Sequence, residues 1–169
     1  MKIDLFATTC FEQRTDSFGI YDDSSFPTES AQLVSFNDGT AKVENANSYS
    51  VYFVPLDKNI VCLRADGNQE SQCDAVLICI RPENNYDFYF VELKEANKTM
   101  SWIPDGAKQL KTTILNFKGN YNLSCLSKKA AFLANKSHPC YHYNQQELME
   151  RFRNETGFRL NICATITVK

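Results

Sequence analysis

The sequence predicts one α/β (α+β) domain in which helices flank a mixed central sheet. Its 169 residues match the length of a single ordinary domain and are enough to bury a core. From Tyr49 onward, short apolar runs typical of strands alternate with two stretches that have the three-to-four-residue apolar period of helices. A series of hairpin strands that leads into a strand–helix–strand unit is typical of a mixed sheet.

Residues 1–48 differ in character from the rest of the chain. They are polar, rich in turn-forming residues, and contain isolated aromatic residues instead of a periodic apolar pattern. We therefore predict a polar N-terminal segment, 1–48, that packs on a core domain, 49–169. Within the segment, only ESAQLVSF (29–36) favours a short helical turn.

The core domain begins with four predicted strands and continues with alternating helices and strands. The four strands are SYSVYFVPL (48–56), NIVCLRA (59–65), CDAVLICI (73–80) and FYFVELKE (88–95). A helix (101–120), a strand (126–136), a second helix (143–157) and a last strand (158–168) follow. The run CDAVLICI is almost continuously apolar, which is typical of a strand buried on both faces. The link 81–87 is short, so this strand and the next are predicted to pair as an antiparallel hairpin.

Composition and charge disfavour several classes of protein. A formal charge of −2 does not favour nucleic-acid binding by the protein surface as a whole. Binding of nucleic acid would then need a local basic patch. No apolar run approaches the ~20 residues of a membrane helix, and the start MKIDLFATTC, with Asp4, is unlike a secretory signal. We expect a cytoplasmic protein without a membrane partner. The strings GxxxxGK[ST], GxGxxG and HExxH are absent from the sequence, which disfavours nucleotide-driven motors, dinucleotide enzymes and zinc proteases.

Seven cysteines occur, and none forms a CxxC pair. Because several lie in apolar runs, we interpret them as reduced thiols that pack like small hydrophobic residues. We expect Cys62, Cys79 and Cys163 to be buried and unpaired. The stretch HPCYH (138–142) contains zinc-ligand types but lacks a distant second pair, so a polar loop is the simpler interpretation. A redox or zinc protein is retained as a third hypothesis.

Three charged residues lie at the ends of the two strands of the predicted hairpin. Glu92 and Lys94 are two residues apart, so both side chains leave the same face of their strand. Antiparallel pairing brings Asp74, at the start of the preceding strand, to the same end of the sheet. Two converging carboxylates are neutralised by Mg²⁺ or Mn²⁺, and a lysine beside them can position water and stabilise developing negative charge. This is chemistry for phosphodiester cleavage, although ExK alone more often marks an exposed strand edge with a weak ion pair.

The order of Asp74, a hairpin, Glu92-x-Lys94 and a helix resembles the PD-(D/E)xK nuclease superfamily. The resemblance covers about residues 60–114, and the string CD…VELK…KQLKTTI is also similar to small uncharacterised bacterial proteins assigned to that superfamily. It implies a restriction-endonuclease-like fold with an αβββαβ core and Mg²⁺ or Mn²⁺ held by Asp74 and Glu92. It also implies that Lys94 is the catalytic lysine and that Gln109 turns toward the site.

The sequence departs from that family in two ways. Cys73, and not a proline, precedes Asp74. The family often has a further metal-binding glutamate on its first helix, and no clear N-terminal helix occurs here. Glu29 and Glu44 are the candidates for that role.

The leading hypothesis is a metal-dependent nuclease, alone or as a module of a defence, repair or mobile-element system. DNA is favoured over RNA as substrate, and a homodimer or a protein partner in a larger system is an open alternative. The second hypothesis is a catalytically inactive nuclease-like fold that only binds nucleic acid or protein. Lys128 and Lys129 are candidates for phosphate contacts beside the site, with a solvated strand entry as the alternative. Trp102 and the tyrosines of YHYN (141–144) could stack on bases, but packing roles are more common.

Overall fold

The computed structural model describes residues 11–95, 101–140 and 145–169, which form ten strands and two α-helices. The strands are β1 (Glu12–Arg14), β2 (Phe18–Tyr21), β3 (Gln32–Val34), β4 (Ala41–Glu44), β5 (Val51–Pro55), β6 (Ala75–Ile80), β7 (Tyr86–Lys94), β8 (Leu126–Asn135), β9 (Arg159–Ile162) and β10 (Thr165–Thr167). The helices are α1 (Trp102–Asn120) and α2 (Gln146–Thr156).

Six strands form a mixed sheet in the order β1-β5-β6-β7-β8-β9. The pairs from β1 to β7 are antiparallel, whereas β7–β8 and β8–β9 are parallel. Parallel neighbours need crossover connections, and α1 and α2 supply them. The predicted mixed α/β architecture is therefore confirmed, as is the β6–β7 hairpin, although both helices pack on the same face of the sheet.

A second sheet has the order β10-β4-β2-β3 and takes three of its strands from the first 48 residues. The short helical turn predicted at 29–36 is wrong, because Gln32–Val34 pairs antiparallel with β2 as strand β3. A single helical turn fixes several residues for one hydrogen bond, whereas the ladder beside β2 offers backbone partners at once.

The six-stranded sheet is buried on both faces. Val76, Ile78 and Phe90 pack toward the helices together with Ile103 and Leu110. On the opposite face, the second sheet meets the first in a separate core, which contains Phe18, Ile20, Ala41, Val43, Phe53, Leu77, Val91 and Ile166. The resulting layers are helices, six-stranded sheet and four-stranded sheet. This two-sided burial accounts for the continuous apolar run in β6.

Two further elements differ from the prediction. The stretch 59–65 is not a strand, and its only ladder contact is an isolated bridge between Leu63 and Gln69. Cys62 is buried while Val61 and Leu63 are exposed, so side chains alternate in burial as they would in a strand. Within the described part of the chain, no neighbouring strand covers the side on which Val61 and Leu63 lie. The predicted last strand divides at 163–164 into β9 and β10, which belong to different sheets.

Neither α1 nor α2 has the combination of length and apolar composition that a bilayer-spanning helix requires, and the described residues contain no other candidate.

Candidate functional site

Asp74 and Glu92 face each other across the β6–β7 hairpin. The register pairs Ala75 with Val91, so Asp74, directly before β6, lies beside Glu92. Phe90 belongs to the helix-side core, and the two-residue period of the strand places Glu92 on that same face. Both carboxyl groups are withdrawn from water, with 8% of Asp74 and 1% of Glu92 exposed.

Asp74 is fixed by backbone hydrogen bonds on both strands that border it. The Leu93 amide donates to Asp74 Oδ2 at 2.6 Å, and the Leu56 amide donates to the Asp74 carbonyl at 2.8 Å. Burial raises the pKa of the Asp74 carboxyl to about 7, although the bond from Leu93 and the charge of Lys94 lower it. The folded chain therefore holds a carboxyl group that changes its charge near neutral pH.

Glu92 has one oxygen with a partner and one without. Its Oε1 forms an ion pair with Lys94 Nζ at 2.6 Å. Its Oε2 is buried and has no hydrogen-bond partner in the described part of the chain. Burial, and after it the charge of Asp74, raises the pKa of Glu92 well above its ordinary value, while Lys94 opposes this shift.

Lys94 and Gln109 complete the group. Lys94 Nζ donates to Gln109 Oε1 at 2.6 Å, so the ammonium is held between Glu92 and helix α1. The helix is itself tied to the start of β6, because the Cys73 amide donates to Thr113 Oγ1 at 2.8 Å. Asp74, Glu92, Lys94 and Gln109, the four residues singled out in the sequence, therefore meet at one end of the six-stranded sheet.

Two acidic residues near the site were missed in the sequence analysis. The charges of Asp22, which follows β2, and Asp57, which follows β5, both raise the pKa of Asp74. Lys58 Nζ lies 3.5 Å from Asp22 Oδ1 and 3.8 Å from Asp57 Oδ2. No sequence pattern indicates that β2 lies near this end of the sheet, so Asp22 could not be found from the sequence. Asp57 could have been, because it lies two residues beyond Pro55, at the end of a predicted strand.

Lys128 and Lys129 do not lie beside the carboxylates. The register pairs Lys128 with Asp87 and Lys129 with Phe88, whereas Glu92 pairs with Leu133. Glu92 is four positions beyond Phe88 along β7, which corresponds to about 13 Å. The prediction of phosphate contacts next to the site is corrected for this reason: both lysines are at the start of β8, and the site is at its end.

The remaining candidates do not join the group either. Glu29 is exposed and accepts a bond from Gln32 Nε2, and Glu44 accepts one from Thr167 Oγ1. Trp102 is buried, with its ring stacked on His138 at 6.2 Å between centroids, which indicates a packing role. His142 and the YHYN tyrosines lie outside the described residues, so the stretch 138–142 stays untested as a whole.

The cysteine prediction is partly confirmed. Cys62, Cys73 and Cys79 are buried free thiols. Cys163 is only half-buried, because the sheet divides at this position and leaves one side uncovered.

The fold and site define a mixed α/β protein with a buried carboxyl pair and a lysine at one sheet end. Comparison with known proteins adds no relative, since no protein-family model, no curated protein and no solved structure matches the chain. Within residues 11–95, 101–140 and 145–169, no group of three or more His, Cys, Asp or Glu side chains is placed to hold a metal ion. The groups that meet at the site are the carboxyl groups of Asp74 and Glu92, the ammonium of Lys94 and the side-chain amide of Gln109.

Proposed function

We propose that the chain is a Mg²⁺- or Mn²⁺-dependent nuclease that hydrolyses phosphodiester bonds at Asp74, Glu92 and Lys94. The observation that carries this proposal is the buried Glu92 Oε2, which has no hydrogen-bond partner among the described residues and lies beside a second buried carboxyl group. Buried carboxyl oxygens are normally satisfied, because leaving one unpaired costs several kcal/mol in most contexts. A bound cation would remove that cost.

The donor set fits a magnesium-like ion. Mg²⁺ commonly takes one or two carboxylates from a protein and completes its shell with waters and substrate phosphate oxygens. Asp74 and Glu92 would supply these two carboxylates, so a third acidic ligand is not required. When bound, such an ion supplies Lewis-acid stabilisation of charge on the phosphoryl group and a more acidic water.

Lys94 has the position and the support of a residue that acts on water or phosphate. Two of its three N–H donors are directed at Glu92 Oε1 and Gln109 Oε1. The third remains for a water molecule or a phosphate oxygen. Gln109 fixes the direction of the ammonium from helix α1, so it is a positioning residue.

The arrangement around the site supports the resemblance to PD-(D/E)xK nucleases. Strands β5, β6 and β7, helix α1 and strand β8 follow one another as βββαβ, with Asp74 before the second strand and Glu92 and Lys94 on the third. In place of a first helix, the described residues before β5 form strands. We infer a restriction-endonuclease-like core in which the second sheet occupies the N-terminal position.

DNA is the substrate we propose, with RNA as the alternative polymer. The formal charge of −2 places binding on local groups, such as Lys94 beside Glu92 and Lys58 beside Asp22 and Asp57. A cytoplasmic location, a homodimer and a protein partner in a larger system are further parts of the proposal.

Metal-dependent cleavage of supercoiled plasmid DNA and of single-stranded RNA tests the function. Wild type should cleave one of them with Mn²⁺ or Mg²⁺ at pH 8 and not with EDTA. Glu92→Gln and Lys94→Ala should each lose activity by at least about 100-fold. Asp87→Asn is the matched control, because Asp87 is equally buried on β7 but pairs with Arg81 instead. Absence of cleavage with every divalent ion, or equal activity in all variants, would contradict the proposal.

A binding-only protein is the second candidate, and the Glu92–Lys94 ion pair favours it. If that pair is purely structural, Glu92→Gln breaks a buried ion pair and should destabilise the fold by about 3–5 kcal/mol. In a nuclease the two buried carboxyl groups repel each other while no metal ion is bound, because the charge of Asp74 disfavours ionisation of Glu92. The neutral glutamine should then leave thermal stability unchanged or raise it.

A further inference from the structure

Two cysteines are neighbours where the chain passes from β9 to β10. Cys140 and Cys163 are Cα partners in an isolated antiparallel bridge, and both thiols are free. The Ala164 amide donates to the Pro139 carbonyl at 2.9 Å, so the backbone bond flanks the two cysteines and does not join them. This is the non-hydrogen-bonded type of antiparallel pair, in which facing side chains are closest.

The backbone of such a pair suits a disulfide. Non-hydrogen-bonded partners have Cα atoms about 4.5 Å apart, and disulfides span Cα distances of about 4.4–6.8 Å. Elsewhere in the described residues, no two cysteines occupy partner positions in a sheet. Cys140 is exposed, so a dissolved reagent can reach it, and its bridge partner Cys163 is half-buried.

We propose that Cys140 and Cys163 form a redox-active dithiol, a modification site that exchanges with low-molecular-weight disulfides of the glutathione type. The Cys140 thiolate attacks one sulfur of glutathione disulfide and releases one glutathione thiolate, which leaves a mixed disulfide. The Cys163 thiolate then attacks Cys140 Sγ and releases the second glutathione. Two protein thiols are oxidised to one disulfide, and one glutathione disulfide is reduced to two thiols.

The dithiol is connected to the end of the sheet that holds the carboxyl pair. The Lys136 amide donates to the Lys94 carbonyl at 3.1 Å, and Cys140 follows four residues later. On the other side, Ala164 is anchored to the second sheet because its carbonyl accepts a 2.7 Å bond from the Lys42 amide. A disulfide would therefore fasten the segment that follows β8 to a fixed point between the two sheets.

Disulfide mapping in defined glutathione buffers tests this assignment. The full-length protein is equilibrated over a range of reduced-to-oxidised glutathione ratios, blocked with an alkylating agent and digested with trypsin. Oxidised wild type should give peptide 137–151 linked to peptide 160–169, and reducing agent should separate them. The intact mass should fall by two hydrogen atoms, and the melting temperature should rise because the loop 140–163 is closed.

Variants distinguish the pair from ordinary thiols. Cys140→Ser and Cys163→Ser should abolish the linked peptide, and Cys163→Ser should keep one glutathione on Cys140. Cys125→Ser is the matched control, since Cys125 is also exposed but is not a partner of another cysteine in the described part, and it should leave the linked peptide unchanged. Accumulation of glutathione on Cys140 in wild type without the 140–163 link would overturn the proposal, as would two thiols that stay free in the most oxidising buffer.

Discussion

At the scale of single residues, the site depends on two buried carboxyl groups, Asp74 and Glu92, which face each other across the β6–β7 hairpin. The parity of Glu92 and Lys94 and the short link before β7 were enough to place both carboxyl groups and the lysine at one sheet end. Asp22 could not be predicted in the same way, because its approach depends on how a second sheet packs, whereas Asp57 follows β5 in the same sheet as Asp74. The two-residue period of a strand determines which side chains are neighbours within a hairpin, whereas contacts between the two sheets depend on the whole fold.

The raised pKa of Asp74 predicts a pH-dependent stability. The carboxyl group titrates near 3.8 in the unfolded chain and at about 7 in the fold. Between these values the unfolded chain releases a proton that the folded chain keeps, so stability present below pH 4 is lost as pH rises through 7. Without divalent ions, the free energy of unfolding should fall over this window by up to about 4 kcal/mol.

Urea unfolding from pH 4 to pH 8 measures this effect. Asp74→Asn keeps an oxygen that can accept the Leu93 amide but cannot ionise, so its stability should vary less with pH than that of wild type. An equal slope in the two proteins would show that Asp74 is not the titrating group.

Among the elements, helix α1 has the most direct influence on the site because it carries Gln109. Its bounds followed from the apolar period, whereas the role of Gly106 depends on how the helix packs. Gly106 faces β8, and a Cβ there would clash with Leu133 Cδ1. Gly119, in the last turn of the same helix, has no atom within 4 Å of such a Cβ.

These two glycines form a matched pair of substitutions. Gly106→Ala should destabilise the protein by about 1–3 kcal/mol through overpacking and should lower activity, because it displaces α1 and with it Gln109. Gly119→Ala should instead stabilise by about 0.5–1 kcal/mol, since alanine favours the helix and meets nothing. Thermal unfolding of both variants checks this, and a neutral Gly106→Ala would mean that α1 lies farther from β8.

At the scale of the whole molecule, the second sheet is the feature that the sequence least revealed. The strands described within residues 11–48 are only three or four residues long, too short for an alternating pattern to stand out. Their partner β10 comes from the other end of the chain, and such pairing is not visible in local sequence. For the same reason 158–168 was predicted as one strand: the division into β9 and β10 depends on β10 pairing with β4, which is far away in the sequence.

The shared core between the sheets predicts that the layers unfold together. Ile20 is fully buried in the second sheet, and Ile20→Ala should cost about 2–5 kcal/mol. The single tryptophan, Trp102, lies in the helix layer beyond the six-stranded sheet and reports on the other side of the molecule. In Ile20→Ala, the urea midpoint measured by Trp102 fluorescence should fall by the amount that corresponds to the whole loss of stability. Leu33→Ala, at a partly exposed edge of the same sheet, should shift it much less. An unchanged midpoint in Ile20→Ala would indicate separate folding units.

Calorimetric titration with Mn²⁺ at pH 8 measures whether Asp74 and Glu92 together hold a divalent metal ion. With a pKa of about 7, Asp74 is already mostly ionised at pH 8 and available as a ligand, so wild type should show saturable binding of Mn²⁺. Asp74→Asn and Glu92→Gln should each weaken binding by roughly tenfold or more, while Lys94→Ala and Asp87→Asn should still bind. Equal Mn²⁺ affinity in wild type and in both carboxyl variants, or no binding by wild type, would mean that Asp74 and Glu92 do not form a metal site.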